Sequence, residues 1–94
     1  MESVIESFAD AETERIWRSG KTRGSPSAQI TTRKLAMLDA AARLNDLTVP
    51  PGNRLEKLKG DRAGQHSIRI NDQYRICFRW YDGNVYEVEI TDYH

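Results

Sequence analysis

The C-terminal third of the chain carries three runs in which apolar and polar residues alternate. The apolar positions are Ile68 and Ile70 in the first run, Ile76, Phe78 and Trp80 in the second, and Tyr86, Val88 and Ile90 in the third. A period of two, with β-branched and aromatic residues at the apolar positions, predicts β-strands with one buried face. We therefore expect three consecutive strands in an antiparallel sheet.

The parity of the apolar positions predicts the register of the second hairpin. Opposed residues of antiparallel strands share a face, so Trp80 should pair with Tyr86. This pairing leaves residues 82–84 (Asp-Gly-Asn) as a three-residue loop, with a left-handed residue at Gly83 or Asn84. A two-residue turn would instead bring a glutamate onto the core face, so we expect the longer loop.

The same register sorts the polar residues of these strands. Arg79 falls opposite Glu87, which predicts an exposed cross-strand ion pair that contributes little to stability. Arg75 falls opposite Thr91, at the sheet end that also carries residues 71–74 and the end of the chain. A cation, phenols and an imidazole at one sheet end favour a functional site there. The alternative, a charged strand end that only keeps the surface polar, is at least as common in proteins.

The first half of the chain predicts a short strand and two helices. Residues 4–8 are apolar and β-branched, which indicates a strand. Asp10 is suited to cap a helix that runs to Ser19. The Ser-Pro pair at 25–26 predicts the start of a second helix, which should reach about Arg43.

The region between the helices and the sheet is predicted to be irregular. Residues 45–53 contain Pro-Pro-Gly and should form a linker, and residues 54–64 should lead into the sheet. Together these elements predict an α+β fold in which two N-terminal helices pack on a small antiparallel β-sheet. A chain of 94 residues is long enough for one modest core, so we expect a single domain over residues 1–94.

Charge and composition narrow the classes of function. The chain has 14 basic and 14 acidic residues, but residues 54–79 hold seven basic residues against three acidic ones. This basic stretch favours a phosphate-rich partner. Cys77 is the one cysteine, which excludes an internal disulfide and fits a reducing compartment. No apolar run is long enough to span a membrane, and we expect a cytoplasmic protein.

The remaining side chains suit proton transfer and charge stabilisation. His66, His94 and Cys77 lack the spacing of metal ligands, and neither Gly60 nor Gly64 precedes a phosphate-binding Lys-Ser/Thr pair. We therefore expect no metal and no cofactor. Cations beside phenols and an imidazole suit RNA cleavage in which the 2′-hydroxyl of the substrate attacks the adjacent phosphate. Lys and Arg would stabilise the phosphorane, and Tyr or His would move protons.

A series of specific motifs runs from residue 58 to residue 94. They are Leu58-Lys59-Gly60-Asp61-Arg62-x-Gly, Ser67-Ile68, Tyr74-Arg75-Ile76-x-Phe78, Gly83-x-x-Tyr86 and Asp92-Tyr93-His94. In this order they resemble the HigB toxins of the RelE superfamily, and the likeness in length and element order covers nearly the whole chain. The resemblance implies the toxin of a type II toxin–antitoxin system. Its implied partners are a HigA-like antitoxin with a helix-turn-helix domain, the 70S ribosome and messenger RNA, which is cut in the ribosomal A site.

The resemblance also assigns candidate site residues. The implied catalytic residues are Lys59, Arg75, Asp92, Tyr93 and His94. The implied RNA-binding residues, which lie close to them in sequence, are Lys57, Arg62, Gln73 and Tyr74. For Arg62 the alternative is an ion pair with the adjacent Asp61.

Two positions depart from the family pattern. Glu56 stands where some members have histidine, and Gln73 where some have asparagine. A carboxylate at position 56 is suited to act as a base, but its charge repels phosphate.

Three classes of function stay open on the sequence. They are a ribosome-dependent endoribonuclease, a non-catalytic RNA- or ribosome-binding inhibitor of translation with the same fold, and a domain that only binds an acidic protein. Lys59, Arg75 and Tyr93 favour the endoribonuclease, because binding alone needs no group that transfers protons.

Overall fold

The computed structural model describes residues 4–22 and 27–92. Within this part of the chain it contains two helices and one four-stranded antiparallel sheet. The elements are α1 (Ala11–Ser19), α2 (Ala28–Ala40), β1 (Glu56–Lys57), β2 (His66–Arg69), β3 (Tyr74–Tyr81) and β4 (Asn84–Asp92), with 3₁₀ turns at Leu44–Thr48, Pro51–Asn53 and Gly60–Arg62. The strand order is β1-β2-β3-β4. The predicted α+β class is therefore confirmed. None of the described helices is long and apolar enough to cross a membrane.

Helix α1 begins and ends where its capping residues predict. The Asp10 carboxylate accepts a hydrogen bond from the Thr13 amide at 2.7 Å, and Gly20 closes the helix in the left-handed conformation with φ of 71°. Thr13 also ties the helix to the sheet, because its hydroxyl accepts a hydrogen bond from the Ile90 amide at 3.1 Å.

Helix α2 is shorter than the sequence predicted. Its N-cap is Ser27, and the predicted start at residues 25–26 lies outside the described residues. The helix ends at Ala40 instead of Arg43. The Asp46 carboxylate explains this end, because it accepts the amide hydrogen bonds of residues 42 and 43 at 3.0 Å and draws them into the following 3₁₀ turn.

The N-terminal segment is only partly the strand that was predicted. Residues 4–8 form two isolated parallel bridges to β4, at Ile5 and Phe8. The carboxylate of Asp39 in α2 accepts the amide hydrogen bonds of Val4 and Ile5 at 3.0 and 3.2 Å. The segment is thus held between the sheet edge and α2 without forming a continuous ladder.

The predicted three-residue loop between β3 and β4 is wrong. Trp80 pairs with Val85, and the turn consists of Asp82 and Gly83 alone. Both turn residues have positive φ, 51° and 81°, as a tight hairpin of the primed type requires.

A β-bulge keeps the apolar residues of β3 and β4 on the core face despite the two-residue turn. The register shifts between Cys77 and Arg79, where Glu87 adopts a φ of 53° and takes up the extra residue of β4. Beyond the bulge, Cys77 pairs with Glu89 and Arg75 with Thr91, as the apolar pattern predicted.

The predicted linker is a packed part of the fold. Residues 45–53 contribute to two 3₁₀ turns, and Leu47 and Asn53 are fully buried. The Asn53 amide donates hydrogen bonds to the carbonyl oxygens of Leu47 and Val49 at 3.2 and 3.4 Å. The chain then enters the sheet as β1, a strand that the sequence did not predict because its two residues are both exposed and polar.

Asn53→Ala is expected to lower the free energy of unfolding by about 1–3 kcal/mol. The substitution leaves the buried carbonyl of Leu47 without its side-chain donor, and that loss is costly. Urea unfolding checks this, with Asn45→Ala as the control, because Asn45 is exposed and its substitution should change stability by less than about 0.5 kcal/mol. An unchanged midpoint for Asn53→Ala would contradict the structural role of the linker.

The sheet has an apolar face and a polar face. The apolar face packs under the helices, and its buried core residues include Ile68, Ile76, Phe78, Val85 and Val88 from the sheet with Ile16, Leu35 and Leu38 from the helices. Because successive side chains of a strand point to opposite faces of the sheet, the residues next to each core residue lie on the polar face. On that polar face, Ser67 and Cys77 are nevertheless fully buried, because the segment around the 3₁₀ turn Gly60–Arg62 folds over part of it.

Candidate active site

Arg75 lies on the polar face, and neighbouring strands fix its guanidinium. Only 12% of its side chain is exposed. Its Nε donates a hydrogen bond to the hydroxyl of Ser67 in β2 at 2.8 Å, and its Nη2 donates one to the carbonyl of Arg54 at 2.7 Å. A guanidinium held in this way is a preorganised donor for a phosphate oxygen.

Two further groups border Arg75. A Glu56 oxygen lies 3.9 Å from its Nη2, and 58% of the Glu56 side chain is exposed, so this ion pair is a weak one. Thr91 is the register partner of Arg75, and its hydroxyl oxygen is buried with no hydrogen bond to any described residue. Position 56, which was singled out for departing from the family pattern, therefore lies directly beside the strand arginine.

Several predicted site residues meet at one end of the sheet. Tyr74 pairs with Asp92 in the register, and the Gln73 amide donates a hydrogen bond to the Asp92 carboxylate at 3.1 Å. Asn71 orders the turn, because its side-chain oxygen accepts the amide hydrogen bonds of residues 73 and 74 at 2.8 Å. The structure thus brings Gln73, Tyr74 and Asp92 together at the sheet end where Arg75 lies. Tyr74 packs against the hydrophobic core, whereas Arg75 lies on the opposite, polar face. Tyr93 and His94 lie outside the described residues.

The structure does not bring the backbone of Lys59 to this end. Lys57 is level with His66 and Phe78 across the sheet, three positions beyond Arg75, and Lys59 follows two residues further in the same direction. At about 3.3 Å per residue, five positions correspond to ~17 Å. Lys59 and Arg75, which the resemblance gives together as catalytic residues, therefore lie apart along the backbone. Both lysines are exposed.

Two arginines of the polar face are engaged in ion pairs. Arg62 bonds to the carboxylate of Glu89 in β4 at 3.0 Å and to the Gln65 side chain at 3.1 Å, whereas the alternative considered from the sequence was an ion pair with Asp61. Arg79 bonds to Glu87 at 2.7 Å, and this predicted ion pair is confirmed. These contacts hold the segment after β1 and the bulged hairpin against the sheet.

His66 was considered only as a metal ligand, and the structure gives it a different setting. Its ring stacks on Phe78 with 6.2 Å between the centroids, and its Nδ1 is buried with no hydrogen bond to any described residue. Burial first, and then the nearby Lys57 ammonium, lower the pKa of His66 below its ordinary value, which favours the neutral imidazole. The parity of β2, which places position 66 on the face of Ile68, was a signal for this setting.

Other features of the described chain lie apart from these residues. No three His, Cys, Asp or Glu side chains among residues 4–22 and 27–92 are close enough to hold a metal ion together. A groove of about 450 Å³ runs between the N-terminal segment and α1, and none of its lining residues is a predicted site residue.

Comparison with known proteins gives consistent relatives. The family model of the RelE-like toxin of type II toxin–antitoxin system HigB matches residues 6–94. Endoribonuclease HigB of Proteus vulgaris is 30% identical over 93 residues, which cover 97% of this chain and 100% of that protein. Toxin HigB-1 of Vibrio cholerae is 57% identical over 51 residues, 54% of each chain, so the match spans about half the length of that relative.

The fold has solved counterparts. The YoeB–YefM complex from Staphylococcus aureus contains a chain that superposes with a TM-score of 0.63 at 18% identity, covering 96% of this chain and 97% of that one. At this identity the likeness concerns the fold alone.

Proposed function

The chain belongs to the HigB-like family of RelE-like toxins of type II toxin–antitoxin systems, and from this membership we propose that it is an endoribonuclease that cuts messenger RNA in the A site of the ribosome. The observation that carries the proposal is the fixed guanidinium of Arg75 on the polar face of the sheet. The activity named for the Proteus vulgaris relative supports the same reaction.

In the proposed reaction the RNA supplies its own nucleophile. The 2′-hydroxyl loses its proton and attacks the adjacent phosphorus, the bond to the 5′-oxygen breaks, and that oxygen takes up a proton. The products are a 2′,3′-cyclic phosphate and a 5′-hydroxyl. Arg75 stabilises the charge that develops on the phosphorane, because its donors are already in place and need no reorganisation.

The other candidate residues have proposed roles around Arg75. Tyr93 and His94 transfer protons, and Asp92 orients the end of the chain that carries them. The residues proposed to bind the RNA on either side are Lys57, Arg62, Gln73 and Tyr74. For Arg62 this role requires RNA to compete with Glu89 for its guanidinium.

The proposed partners follow from the family. A HigA-like antitoxin with a helix-turn-helix domain neutralises the toxin, in keeping with the toxin–antitoxin complexes among the structural neighbours. The ribosome and messenger RNA are the proposed targets, and they place the activity in the cytoplasm.

Primer extension on ribosome-bound message tests the proposal. Cleavage gives a new 3′ fragment that starts with a 5′-hydroxyl, at a position set by the A-site codon. A toxin that stalls translation while the message stays intact would contradict the enzyme and leave the non-catalytic inhibitor.

Cleavage is expected to persist in the presence of a chelator of transition metals. The proposed charge stabilisation comes from the guanidinium of Arg75, so the step needs no metal ion. Single-turnover cleavage on programmed ribosomes at constant free magnesium measures this, with magnesium held constant because the ribosome needs it. Loss of activity that one transition metal restores would overturn the proposed chemistry.

A further inference from the structure

Two arginines stand directly opposite each other on the polar face of the sheet, at the end where the candidate active site lies. Arg69 of β2 is the register partner of Arg75 of β3. Opposed residues of antiparallel strands share a face, so the Arg69 side chain lies on the polar face with that of Arg75. Like charges at opposed positions destabilise a sheet. The fold therefore keeps two positive charges together here against a cost.

The two guanidinium groups extend in opposite directions along β2. The Nε of Arg75 bonds to Ser67, which comes two residues before Arg69 in the strand. The Nε of Arg69 donates a hydrogen bond to the carbonyl of Asn71, two residues further on, at 3.2 Å. The groups thus occupy separate places on one face, and they suit two successive phosphates of one strand better than a single phosphate.

The acidic partner of Arg69 is easily displaced. The Arg69 guanidinium bonds to Asp72, whose side chain is 98% exposed, and 32% of the Arg69 side chain is itself exposed. An exposed ion pair contributes little free energy. A phosphate group accepts a pair of parallel hydrogen bonds from a guanidinium, which is a stronger arrangement. A phosphate can therefore take the place of Asp72 at small cost.

The turn that Arg69 contacts is closed by other bonds. The side-chain oxygen of Asn71 accepts the amide hydrogen bonds of residues 73 and 74 at 2.8 Å. The carbonyl of Tyr74 accepts those of Ile70 and Asn71 at 2.9 and 3.2 Å. The bond from Arg69 adds to a turn that is already ordered, so bracing the turn does not account for a second arginine opposite Arg75.

We propose that Arg69 binds a phosphodiester of single-stranded RNA, next to the phosphodiester held at Arg75. The naming of RNA as the ligand rests on the proposed function. Asp72 occupies the Arg69 guanidinium in the absence of RNA and gives it up when the phosphate arrives. Arg69 then fixes the strand on one side of the phosphate at Arg75, and the two charges that repel each other in the free protein are both neutralised.

Binding of a 2′-O-methyl RNA oligonucleotide, which lacks the attacking hydroxyl, tests the role of Arg69. Fluorescence anisotropy over a series of salt concentrations gives the slope of log affinity against log salt. Arg69→Gln should weaken binding and reduce the magnitude of this slope by about 0.7, the value for one phosphate contact on a single strand. Arg69→Lys should retain the slope, because it keeps the charge.

Arg18→Gln is the matched control. Arg18 also pairs with an exposed carboxylate, that of Glu14, but it lies on α1, which packs on the other face of the sheet. Its removal should leave the slope unchanged.

Asp72→Asn should have the opposite effect to Arg69→Gln. It frees the guanidinium from its competitor, so binding at constant salt should tighten about two- to fivefold, the range that corresponds to an exposed ion pair. The same substitution made together with Arg69→Gln should lose most of this gain. An equal gain in both backgrounds would mean that Asp72 only repels the RNA at a distance, and it would overturn the proposal.

Three further outcomes would contradict phosphate binding by Arg69. They are an unchanged slope for Arg69→Gln, an equal change for Arg18→Gln, and no binding of the oligonucleotide at low salt. A lower melting temperature of Arg69→Gln with an unchanged slope would show that Arg69 only braces the turn. The oligonucleotide is not cut and no ribosome is present, so failure of the proposed endoribonuclease activity would not alter these results.

Discussion

Arg75→Ala is expected to slow single-turnover cleavage of ribosome-bound message by about a hundredfold or more, the scale on which one preorganised donor to a transition-state oxyanion acts. The alanine removes a guanidinium that Ser67 and the Arg54 carbonyl hold in one position. Arg75→Lys should recover only part of the rate, because an ammonium cannot bridge both partners and also present a planar fork to the phosphate.

Arg79→Ala is the matched control for this prediction. Arg79 comes from the same strand and the same face, but 41% of its side chain is exposed and it pairs with Glu87. Its removal should leave cleavage within a few-fold of the parent protein, since an exposed ion pair contributes little. Equal losses for both variants would contradict the assignment of the site to the Arg75 end of the sheet.

The loss of cleavage in Arg75→Ala must be separated from a loss of stability, because Ser67 would lose its hydrogen-bond partner. Thermal unfolding and binding to the antitoxin provide this separation. Ser67→Ala is a further probe: it leaves the guanidinium present but frees its Nε, so cleavage should fall by less than in Arg75→Ala. A Ser67→Ala variant that cleaves as slowly as Arg75→Ala would indicate a structural role for the pair.

The apolar periodicity predicted the strands β2 to β4 and the register at the Arg75 end, but not the turn. With unbroken alternation, a two-residue turn would bring Glu87 onto the core face, which is why a three-residue loop was predicted. The fold uses that turn and removes the conflict by giving Glu87 a left-handed backbone in a bulge. An alternating apolar pattern cannot reveal a bulge, because the pairing before the bulge and the pairing after it each fit the pattern on their own.

The elements that could not be predicted from the sequence are those without a periodic apolar pattern. Strand β1 has two exposed residues, and the Pro-rich segment before it packs through the buried side chains of Leu47 and Asn53. These are the elements that place Glu56 and the Arg54 carbonyl beside Arg75. The candidate residues at the sheet end were predictable from the resemblance and the parity, whereas the contacts that hold Arg75 depend on tertiary packing.

Lys59→Ala is also expected to slow cleavage by about a hundredfold. Lys59 is exposed and precedes the 3₁₀ turn Gly60–Arg62. Its ammonium has no carboxylate partner within residues 4–22 and 27–92. It is therefore available to a phosphate oxygen without breaking an existing contact. Because its backbone is offset from Arg75 by about five residue positions, or ~17 Å, along the strand direction, we expect Lys59 to act on a different group of the RNA.

A double-mutant cycle distinguishes action of Lys59 and Arg75 on different groups of the RNA from joint action on one phosphorane. Groups that lie apart and share no partner act independently, so the losses for Lys59→Ala and Arg75→Ala should multiply to about ten-thousandfold in the double variant. Groups that stabilise one phosphorane as a unit give a double variant hardly slower than either single one. Single-turnover cleavage on programmed ribosomes measures all four proteins, with Lys21→Ala as the charge-matched control. A strongly non-additive cycle would mean that the loop after β1 moves Lys59 onto the phosphate at Arg75 when RNA binds, against the separation seen in the sheet register.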